Sequence, residues 1–221
     1  TQSPSSAASD VYKRQTEAQE NIKSVIQRIA TGPELSKNIS RDEAKRSMSD
    51  ILNGEIDPVQ SAIFLIALRM KRETMDENLG VHDAIIESTT TVDTSCDSLI
   101  NIADPYDGFS RNLPSSIFIL PVIAEHGLPI VSHGVFSVGP KYGCTHHLTL
   151  KELGYNSNND HQEIVERLEN KDIGWAYADQ SMFNPKLHNL MSLRKQIIKR
   201  PVITTVAVSY THLRAHETLP Y

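Results

Sequence analysis

The sequence contains few of the residues that a disulfide-stapled, zinc-bound or membrane-embedded protein needs. It has two cysteines, Cys96 and Cys144, and no Cys-x-x-Cys pair, so we interpret both as reduced thiols of a cytosolic protein and expect no zinc site. No apolar run reaches the length of a membrane-spanning helix, so no membrane partner is expected. The net charge of −5 gives the chain no general attraction to nucleic acid or anionic lipid.

The two ends of the chain lack the hydrophobic periodicity found between them. Residues 1–15 and 208–221 resemble translated sequencing-adapter sequence, and we exclude both from the fold; a pair of natural disordered tails is the alternative. The second segment holds His212 and His216 at the i, i+4 spacing of two metal ligands on a helix, but we infer no metal site from it. We expect the natural protein to continue past Val206, so that this chain is a fragment.

Residues 16–92 are predicted to form a small domain of four helices. The first helix carries its apolar residues on one face, at Ile22, Val25, Ile26 and Ile29. The three later helices begin at recognisable signals, which are the capping boxes Ser40-Arg-Asp-Glu43 and Thr74-Met-Asp-Glu77 and the pair Asp57-Pro58. The third helix is apolar nearly all round, so it should be buried.

Residues 93–207 alternate between short apolar segments and helical patterns. Strands are predicted at 99–103, 128–131 and 173–178, with a last strand-like piece at 202–206, and helices at 115–126, 145–153, 161–168 and 185–199. Such alternation favours a parallel sheet with right-handed crossovers. The predicted fold class is therefore α/β, with a small helical N-terminal domain followed by an incomplete parallel-sheet domain; whether the segment 185–200 packs on the helical domain is left open.

Polar residues and glycines follow two of the predicted strands, where ligand sites of α/β proteins lie. After the first strand, Asp104, Asp107 and Gly108 could present carboxylates to a metal-bound diphosphate or a sugar hydroxyl, or could form an ordinary Asp-capped turn, which the residues alone favour. After the second strand, His133 and Gly134 could let backbone amides approach a phosphate, or the His could bond to the main chain. Both interpretations of that second turn stay open.

Two basic features complete the candidates. Lys141 lies with Ser137 and Gly143 in a Gly/Pro-rich loop, where it could contact a phosphate or be an ordinary surface lysine. Arg194 lies among lysines on the predicted helix 185–199, which could be a solvated face, could turn one Arg inward to hold a carboxylate, or could contact nucleic acid. The sequence has no P-loop, no Rossmann fingerprint and no Gly-x-Ser-x-Gly motif to support a serine hydrolase.

The order of these motifs resembles glycosyl transferase family 3. Three segments resemble that family's helical N-terminal domain: Ser40-Arg-Asp-Glu-Ala44, Ile51-Leu-Asn-Gly-Glu-Ile-Asp-Pro-Val-Gln60 and Ile66-Ala-Leu-Arg-Met-Lys-Arg-Glu-Thr74. Three more fall where the anthranilate phosphoribosyltransferases of the family have matching segments: Ser132-His-Gly134, Ser137-Val-Gly-Pro-Lys-Tyr-Gly143 and Leu193-Arg-Lys195. The resemblance extends from about residue 17 to residue 206.

The resemblance implies a function. The family transfers a phosphoribosyl group from phosphoribosyl diphosphate to an aromatic amine in tryptophan biosynthesis, uses Mg²⁺, and dimerises through its helical domain. By resemblance, the loop over phosphoribosyl diphosphate would contain His133, Gly134, Ser137 and Lys141. Arg194 would hold the anthranilate carboxylate. Ser115 or Ser116 would lie at the helix start that binds the diphosphate.

This sequence also departs from the family pattern. The family's Gly-Thr-Gly-Gly-Asp loop is replaced by Asp104-Pro-Tyr-Asp-Gly108, in which Asp104 and Tyr106 are expected to repel or block phosphate. The family's Lys-His-Gly-Asn-Arg segment reads Ser132-His-Gly-Val-Phe136, and its acidic Mg²⁺ motif would lie beyond Val206. We therefore expect the fragment itself to be inactive, and keep as an alternative a non-catalytic paralogue that binds nucleic acid.

Overall fold

The computed structural model describes residues 4–32, 34–104, 107–112, 114–139 and 141–206. They form two units: the residues up to Ser88 together with Lys199–Val206, and the intervening Thr89–Ile198. The predicted domain limits of 16–92 and 93–207 stay predictions, and the segment 208–221 lies outside the described residues. Within the described part of the chain, every helix is too short or too polar to cross a membrane.

The first unit is built on four helices, α1 (Pro4–Ile29), α2 (Arg41–Leu52), α3 (Pro58–Lys71) and α4 (Met75–Glu87). Both predicted capping boxes are present, and Asp57 caps α3 ahead of Pro58, so the predicted starts of α2, α3 and α4 are confirmed. The predicted start of α1 at residue 16 is wrong, since the helix begins at Pro4. A proline in the first turn and the following Ser and Ala residues are compatible with helix, and an established helix extends through them at little cost.

A buried ion pair and a close helix contact hold the first unit together. Glu77 is fully buried and its carboxylate accepts hydrogen bonds from the backbone N–H groups of Ile39 and Thr74 and from Lys71 Nζ, the last at 2.7 Å. A side chain at Gly80 would collide with the backbone of Arg41, so this glycine permits α4 to lie directly against α2.

Residues 202–206 are helical, so the predicted fourth strand is wrong. Val202, Ile203 and Val206 are buried, and their i, i+1, i+4 spacing gives a helical turn one apolar face. Thr205 Oγ1 donates to Glu73 at 2.9 Å and accepts from Arg69, both residues of the first unit. The β-branched composition of this segment predicted a strand, but burial in the helical unit overrides that preference.

The second unit contains a parallel three-stranded sheet in the order β1 (Ile100–Ala103), β2 (Ile130–Gly134), β3 (Trp175–Asp179). The 3₁₀ turn Ser115–Phe118 and helix α5 (Ile119–Glu125) join β1 to β2, and the helices α6 (His146–Glu152) and α7 (His161–Glu169) join β2 to β3. This arrangement confirms the predicted α/β fold class with a helical N-terminal domain.

Helices cover the two faces of the sheet. Neighbouring residues of one strand point to opposite faces. Ile130 of β2 belongs to a core cluster with residues of α5 and α6, whereas Val131 belongs to a second cluster with residues of α7. Along β3 the same division holds, since Tyr177 joins the first cluster and Ala176 the second. Helices on both faces leave the carboxyl ends of the strands as the place where loops can form a site.

Two local predictions for the second unit need correction. Helix 185–199 is divided into α9 (Pro185–Asn189) and α10 (Met191–Ile197), preceded by the short α8 (Gln180–Phe183). Ile198 ends α10 with a left-handed backbone at φ 63°, so Lys199 lies beyond the helix. Ser132, His133 and Gly134 were predicted to follow a strand but are the last residues of β2, where their main chains pair with β1 and β3.

Candidate functional site

The three strands end beside the N-terminus of α6. Asp104 follows β1, Gly134 ends β2 and Asp179 ends β3. Because the strands are parallel, these residues lie along one edge of the sheet. A side chain at Gly134 would lie within 2.8 Å of Asp104 Cβ, so glycine allows the first two strand ends to approach each other. Hydrogen-bonded polar side chains gather at these strand ends, and the site predicted there stays a prediction.

His146, the first residue of α6, connects the strand ends to the 3₁₀ turn. Its Nε2 lies 2.6 Å from Ser116 Oγ, and its Nδ1 lies 2.8 Å from Ser132 Oγ. Its backbone N–H donates to Asp104 Oδ2 at 2.7 Å. The imidazole is fully buried. A neutral ring has one donor and one acceptor nitrogen, so it satisfies both serines without carrying charge.

Burial moves the pKa values of this pair in opposite directions. It raises the pKa of the Asp104 carboxyl to about 7, against the opposing effect of the His146 N–H. It lowers the pKa of the His146 imidazole to about 4. Asp104 Oδ1 is buried and has no hydrogen-bond partner among the described residues, although it lies 3.8 Å from His146 Nε2. Near neutral pH, Asp104 is therefore half protonated and His146 is uncharged.

A second buried network lies at the end of β3. His147 Nδ1 lies 2.7 Å from Asp179 Oδ2, and its Nε2 lies 2.8 Å from Ser157 Oγ. Although burial opposes ionisation of Asp179, hydrogen bonds from His147 and Ser181 outweigh it and hold the pKa of this carboxyl below its ordinary value. The order of contacts is that of a Ser-His-Asp triad. However, Ser157 is 6% exposed, so we interpret the network as a brace between β3, α6 and the loop that follows α6.

The loop after β1 and the loop between β2 and α6 are joined by a short antiparallel backbone bridge, which we call the clasp. Phe109 and Cys144 exchange two backbone hydrogen bonds of 2.8 Å. A Cβ on Gly108 would lie 2.5 Å from the carbonyl oxygen of Gly143, and Gly108 has φ 71°, so only glycine fits this crossing. The clasp brings Lys141 Nζ to 3.4 Å from the buried carboxylate of Asp107, so two predicted site residues form an ion pair.

A cavity of about 510 Å³ opens beside the clasp. It is lined by residues of the two clasped loops, which are Gly108, Phe109, Ser110, Arg111, Asn112 and Lys141. The Phe109 ring, half-buried, stacks with the His146 ring at a centroid distance of 6.2 Å. The cavity therefore combines two cationic side chains, a hydroxyl, an amide and an aromatic ring.

The other predicted site residues lie at different depths. Ser116 is half-buried on His146, whereas Ser115 is exposed at the start of the 3₁₀ turn. His133 packs edge-on against Phe183 at 5.6 Å. Ser137 is half-buried in the loop between β2 and α6. Arg194 is half-buried on α10 and takes no part in the hydrogen bonds described above. Tyr106, which was expected to block phosphate, lies outside the described residues.

Sequence reasoning missed three of the residues that organise the site, namely His146, His147 and Asp179. The signal for the histidines was their position directly after Thr145, which caps α6 by accepting from the Leu148 N–H. Polar residues in the first turn of a helix that follows a Gly-rich loop face the strand ends in α/β folds. Asp179 carried the same signal as Asp104, since each follows a predicted strand.

The described residues do not fit a protein-held magnesium ion. Among them, no group of three or more His, Cys, Asp or Glu residues is placed to hold a metal. Asp107 is engaged with Lys141, and Asp104 is buried and bonded to a backbone N–H. Mg²⁺ needs several ionised or carbonyl oxygens in near-octahedral positions. The location of the Mg²⁺ ligands beyond Val206 stays a prediction.

Comparison with known proteins agrees with this fold. A model of the glycosyl transferase family, helical bundle domain, matches residues 23–89. The anthranilate phosphoribosyltransferase of Methanopyrus kandleri is 29% identical over 187 residues, which are 83% of this chain and 52% of that protein. The chain therefore spans about half the length of this relative.

Two solved structures share the fold at lower identity. The anthranilate phosphoribosyltransferase of Thermus thermophilus has a TM-score of 0.69 at 19% identity, over 85% of this chain and 53% of that one. The enzyme of Saccharomyces cerevisiae in complex with PRPP and Mg has a TM-score of 0.66 at 14% identity, over 85% of this chain and 54% of that one. Residues 23–89 are therefore similar to the helical bundle domain of the glycosyl transferase family, and the chain as a whole is similar in sequence and fold to anthranilate phosphoribosyltransferases, the resemblance that its motifs predicted.

Proposed function

We propose that the protein represented by this chain transfers the phosphoribosyl group of phosphoribosyl diphosphate to an aromatic amine, in tryptophan biosynthesis. The observation that carries the proposal is the likeness to anthranilate phosphoribosyltransferases over 83% of the chain, including the strand ends and loops described above. Phosphoribosyl diphosphate and Mg²⁺ are proposed as ligands because the related yeast enzyme was solved with PRPP and Mg. The metal would arrive with the diphosphate, since magnesium commonly keeps phosphate oxygens as ligands.

Asp104 and Asp107 present less negative charge to a phosphate than the sequence led us to expect. Asp104 does not present a full charge to the site, because its pKa of about 7 leaves it half protonated at neutral pH and its Oδ2 is bonded to the His146 N–H. Asp107 is neutralised by Lys141. Transfer from an oxocarbenium-like sugar carbon needs positioning and charge screening more than a strong base. The clasped loops supply fixed positions for such contacts.

The test uses a full-length natural homologue of residues 17–206. Diphosphate release is measured with phosphoribosyl diphosphate, Mg²⁺ and 2-aminobenzoate, and the loss of 2-aminobenzoate fluorescence is followed in parallel. We expect turnover that requires all three components and falls in Lys141→Met, whereas Lys171→Met, an exposed lysine of the same unit, serves as the matched control. Absence of diphosphate release with correctly folded protein would refute the transferase proposal. The inactivity of the 221-residue chain and dimerisation through the helical domain remain parts of the proposal.

The nucleic-acid alternative has less support. Its basic helix is divided into α9 and α10, and two of its cations, Lys199 and Arg200, lie beyond α10. Tyr177, one of the aromatic residues near it in sequence, is fully buried in β3 and cannot stack on a base. A flat dependence of nucleic-acid binding on salt concentration would remove this alternative.

A further inference from the structure

Ser116 and His146 form a hydroxyl–imidazole pair with the geometry of a nucleophile and its general base. Ser116 Oγ lies 2.6 Å from His146 Nε2, and His146 Nδ1 lies 2.8 Å from Oγ of Ser132, a fully buried residue of β2. When Nδ1 carries the ring proton and donates it to Ser132, Nε2 is left to accept the Ser116 hydroxyl. Such a pair is recognised by its geometry and not by its place in the sequence. The lack of a Gly-x-Ser-x-Gly motif therefore does not exclude a reactive serine here.

Asp104 lies where a counter-charge for this base is needed. Its side chain is only 3% exposed, and its Oδ1 lies 3.8 Å from His146 Nε2. Oδ2 accepts from the His146 N–H, whereas Oδ1 has no hydrogen-bond partner among the residues that the structure describes. If Nε2 takes up the proton of Ser116, the ring becomes an imidazolium beside this buried oxygen, and the two attract each other strongly at low dielectric. The carboxylate would thus stabilise the charge that appears only during the reaction.

Ser116 is the accessible member among the serines that bond to the two histidines of α6. Ser132 is fully buried, and Ser157, the partner of His147, is 6% exposed. Ser116 is half-buried in the 3₁₀ turn Ser115–Phe118, directly after the exposed Ser115. A reagent from solution can therefore reach the Ser116 hydroxyl more readily than the other two.

We propose that Ser116 is a nucleophilic serine that takes an acyl group from an activated ester, with His146 as its general base and Asp104 as the counter-charge. Ser116 Oγ forms a bond to the carbonyl carbon while its proton moves to His146 Nε2. The bond from that carbon to the leaving oxygen then breaks, and the leaving alcohol takes the proton from Nε2. Water hydrolyses the acyl-Ser116 ester by the same proton path and returns the free serine. This reactivity is separate from phosphoribosyl transfer and does not rest on the proposed function.

The experiment treats the 221-residue chain with a fluorescent fluorophosphonate, which reacts with activated serines and loses fluoride. The labelled residue is identified by tandem mass spectrometry, and the labelling rate is compared in wild type, Ser116→Ala, His146→Gln, Asp104→Asn and Ser98→Ala. Ser98, an exposed serine of the same unit, is the matched control, and Trp175 fluorescence reports that each variant is folded.

We expect the label on Ser116 and none at that position in Ser116→Ala. His146→Gln should slow labelling by about a hundred- to ten-thousandfold, since this is the usual contribution of a general base. Asp104→Asn should slow it as well, and Ser98→Ala should leave the rate unchanged. Release of nitrophenolate from p-nitrophenyl acetate should follow the same order.

Three outcomes would overturn the inference. The first is a labelling rate in the native chain no higher than in the chain unfolded by urea. The second is a label on Ser115 or another serine in place of Ser116. The third is an unchanged rate in folded His146→Gln or Asp104→Asn, which would show that the short contacts of His146 only hold the structure together.

Discussion

The buried pair formed by Asp104 and His146 predicts opposite dependences of stability on pH in two variants. Below pH 7 and above pH 4, the folded protein keeps a proton on Asp104 that the unfolded chain has released, so raising the pH favours unfolding. Between pH 6.5 and 4, the unfolded chain takes up a proton on His146 that the folded protein does not, so lowering the pH favours unfolding. In the wild type these two effects oppose each other over the same pH range.

The size of each effect follows from the pKa values. The rise of the Asp104 pKa from 3.8 to about 7 corresponds to about 4 kcal/mol of unfolding free energy across the window. The fall of the His146 pKa from 6.5 to about 4 corresponds to about 3 kcal/mol. Since domains are stable by only about 5–15 kcal/mol, either effect alone would be readily measured. In combination, we expect the pair to leave wild-type stability nearly flat between about pH 4.5 and 6.5.

Each variant removes one of the two effects. In Asp104→Asn the His146 effect remains, so the free energy of unfolding should rise between about pH 4.5 and 6.5, by up to about 1.4 kcal/mol per pH unit. In His146→Gln the Asp104 effect remains, so the free energy should fall over the same range with a similar slope. Asparagine keeps an acceptor for the His146 N–H, and glutamine keeps one donor and one acceptor for the serines.

The assay is urea unfolding at four pH values from about 4.5 to 7.5, followed by Trp175 fluorescence, which reports on the second unit. Asp172→Asn, an exposed carboxylate of the same unit, is the control and should parallel the wild type. The reasoning is refuted if the two variants change in the same direction with pH, or if Asp104→Asn has the same pH profile as the wild type.

Three further predictions concern stability. Glu77→Ala leaves the buried Lys71 without its carboxylate partner, although Asn38 Oδ1 still accepts from it, and should lower the unfolding free energy by about 3–5 kcal/mol in a far-UV melt. Glu77→Gln should lose less, and equal losses would contradict this. Gly143→Ala places a Cβ within 2.6 Å of Gly108 and should destabilise the clasp by about 1–3 kcal/mol by Trp175 fluorescence, and an unchanged midpoint would show that the loops separate freely. Ser157→Ala should cost about 1–3 kcal/mol, and labelling of wild-type Ser157 by a fluorophosphonate would contradict its role as a brace.

Local signals in the sequence predicted the helical unit well. Each of the capping boxes at Ser40 and Thr74 depends on contacts within four residues, so the helix start that it marks can be predicted from the local sequence alone. The start of α1 was missed because residues 4–15 have no apolar face, although a helix that is already formed downstream extends without one. Residues 202–206 were missed because their conformation is set by burial in a unit that is distant in sequence.

The position of the candidate site stays a prediction, and the sequence predicted only some of the contacts that the structure shows at the strand ends. Strand ends and Gly-rich loops identified Asp107, Gly108 and Lys141, which the structure brings together. The roles of His146 and Asp104 could not be predicted, because they depend on a backbone N–H that meets a carboxylate 42 residues away. The expected repulsion of phosphate by Asp104 assumed an ionised carboxylate, and only the burial seen in the structure changes that assumption.

The return of Lys199–Val206 to the helical unit sets an order of events during synthesis. Val202, Ile203 and Val206 are buried in that unit, yet the ribosome makes them only after the whole of Thr89–Ile198. At typical elongation rates this interval lasts roughly 5–20 seconds. During that time the surface of the helical unit that these side chains later cover stays open to solvent. An expression product that stops at Ser88 would lack the covering segment altogether, and we expect it to aggregate where the longer chain does not.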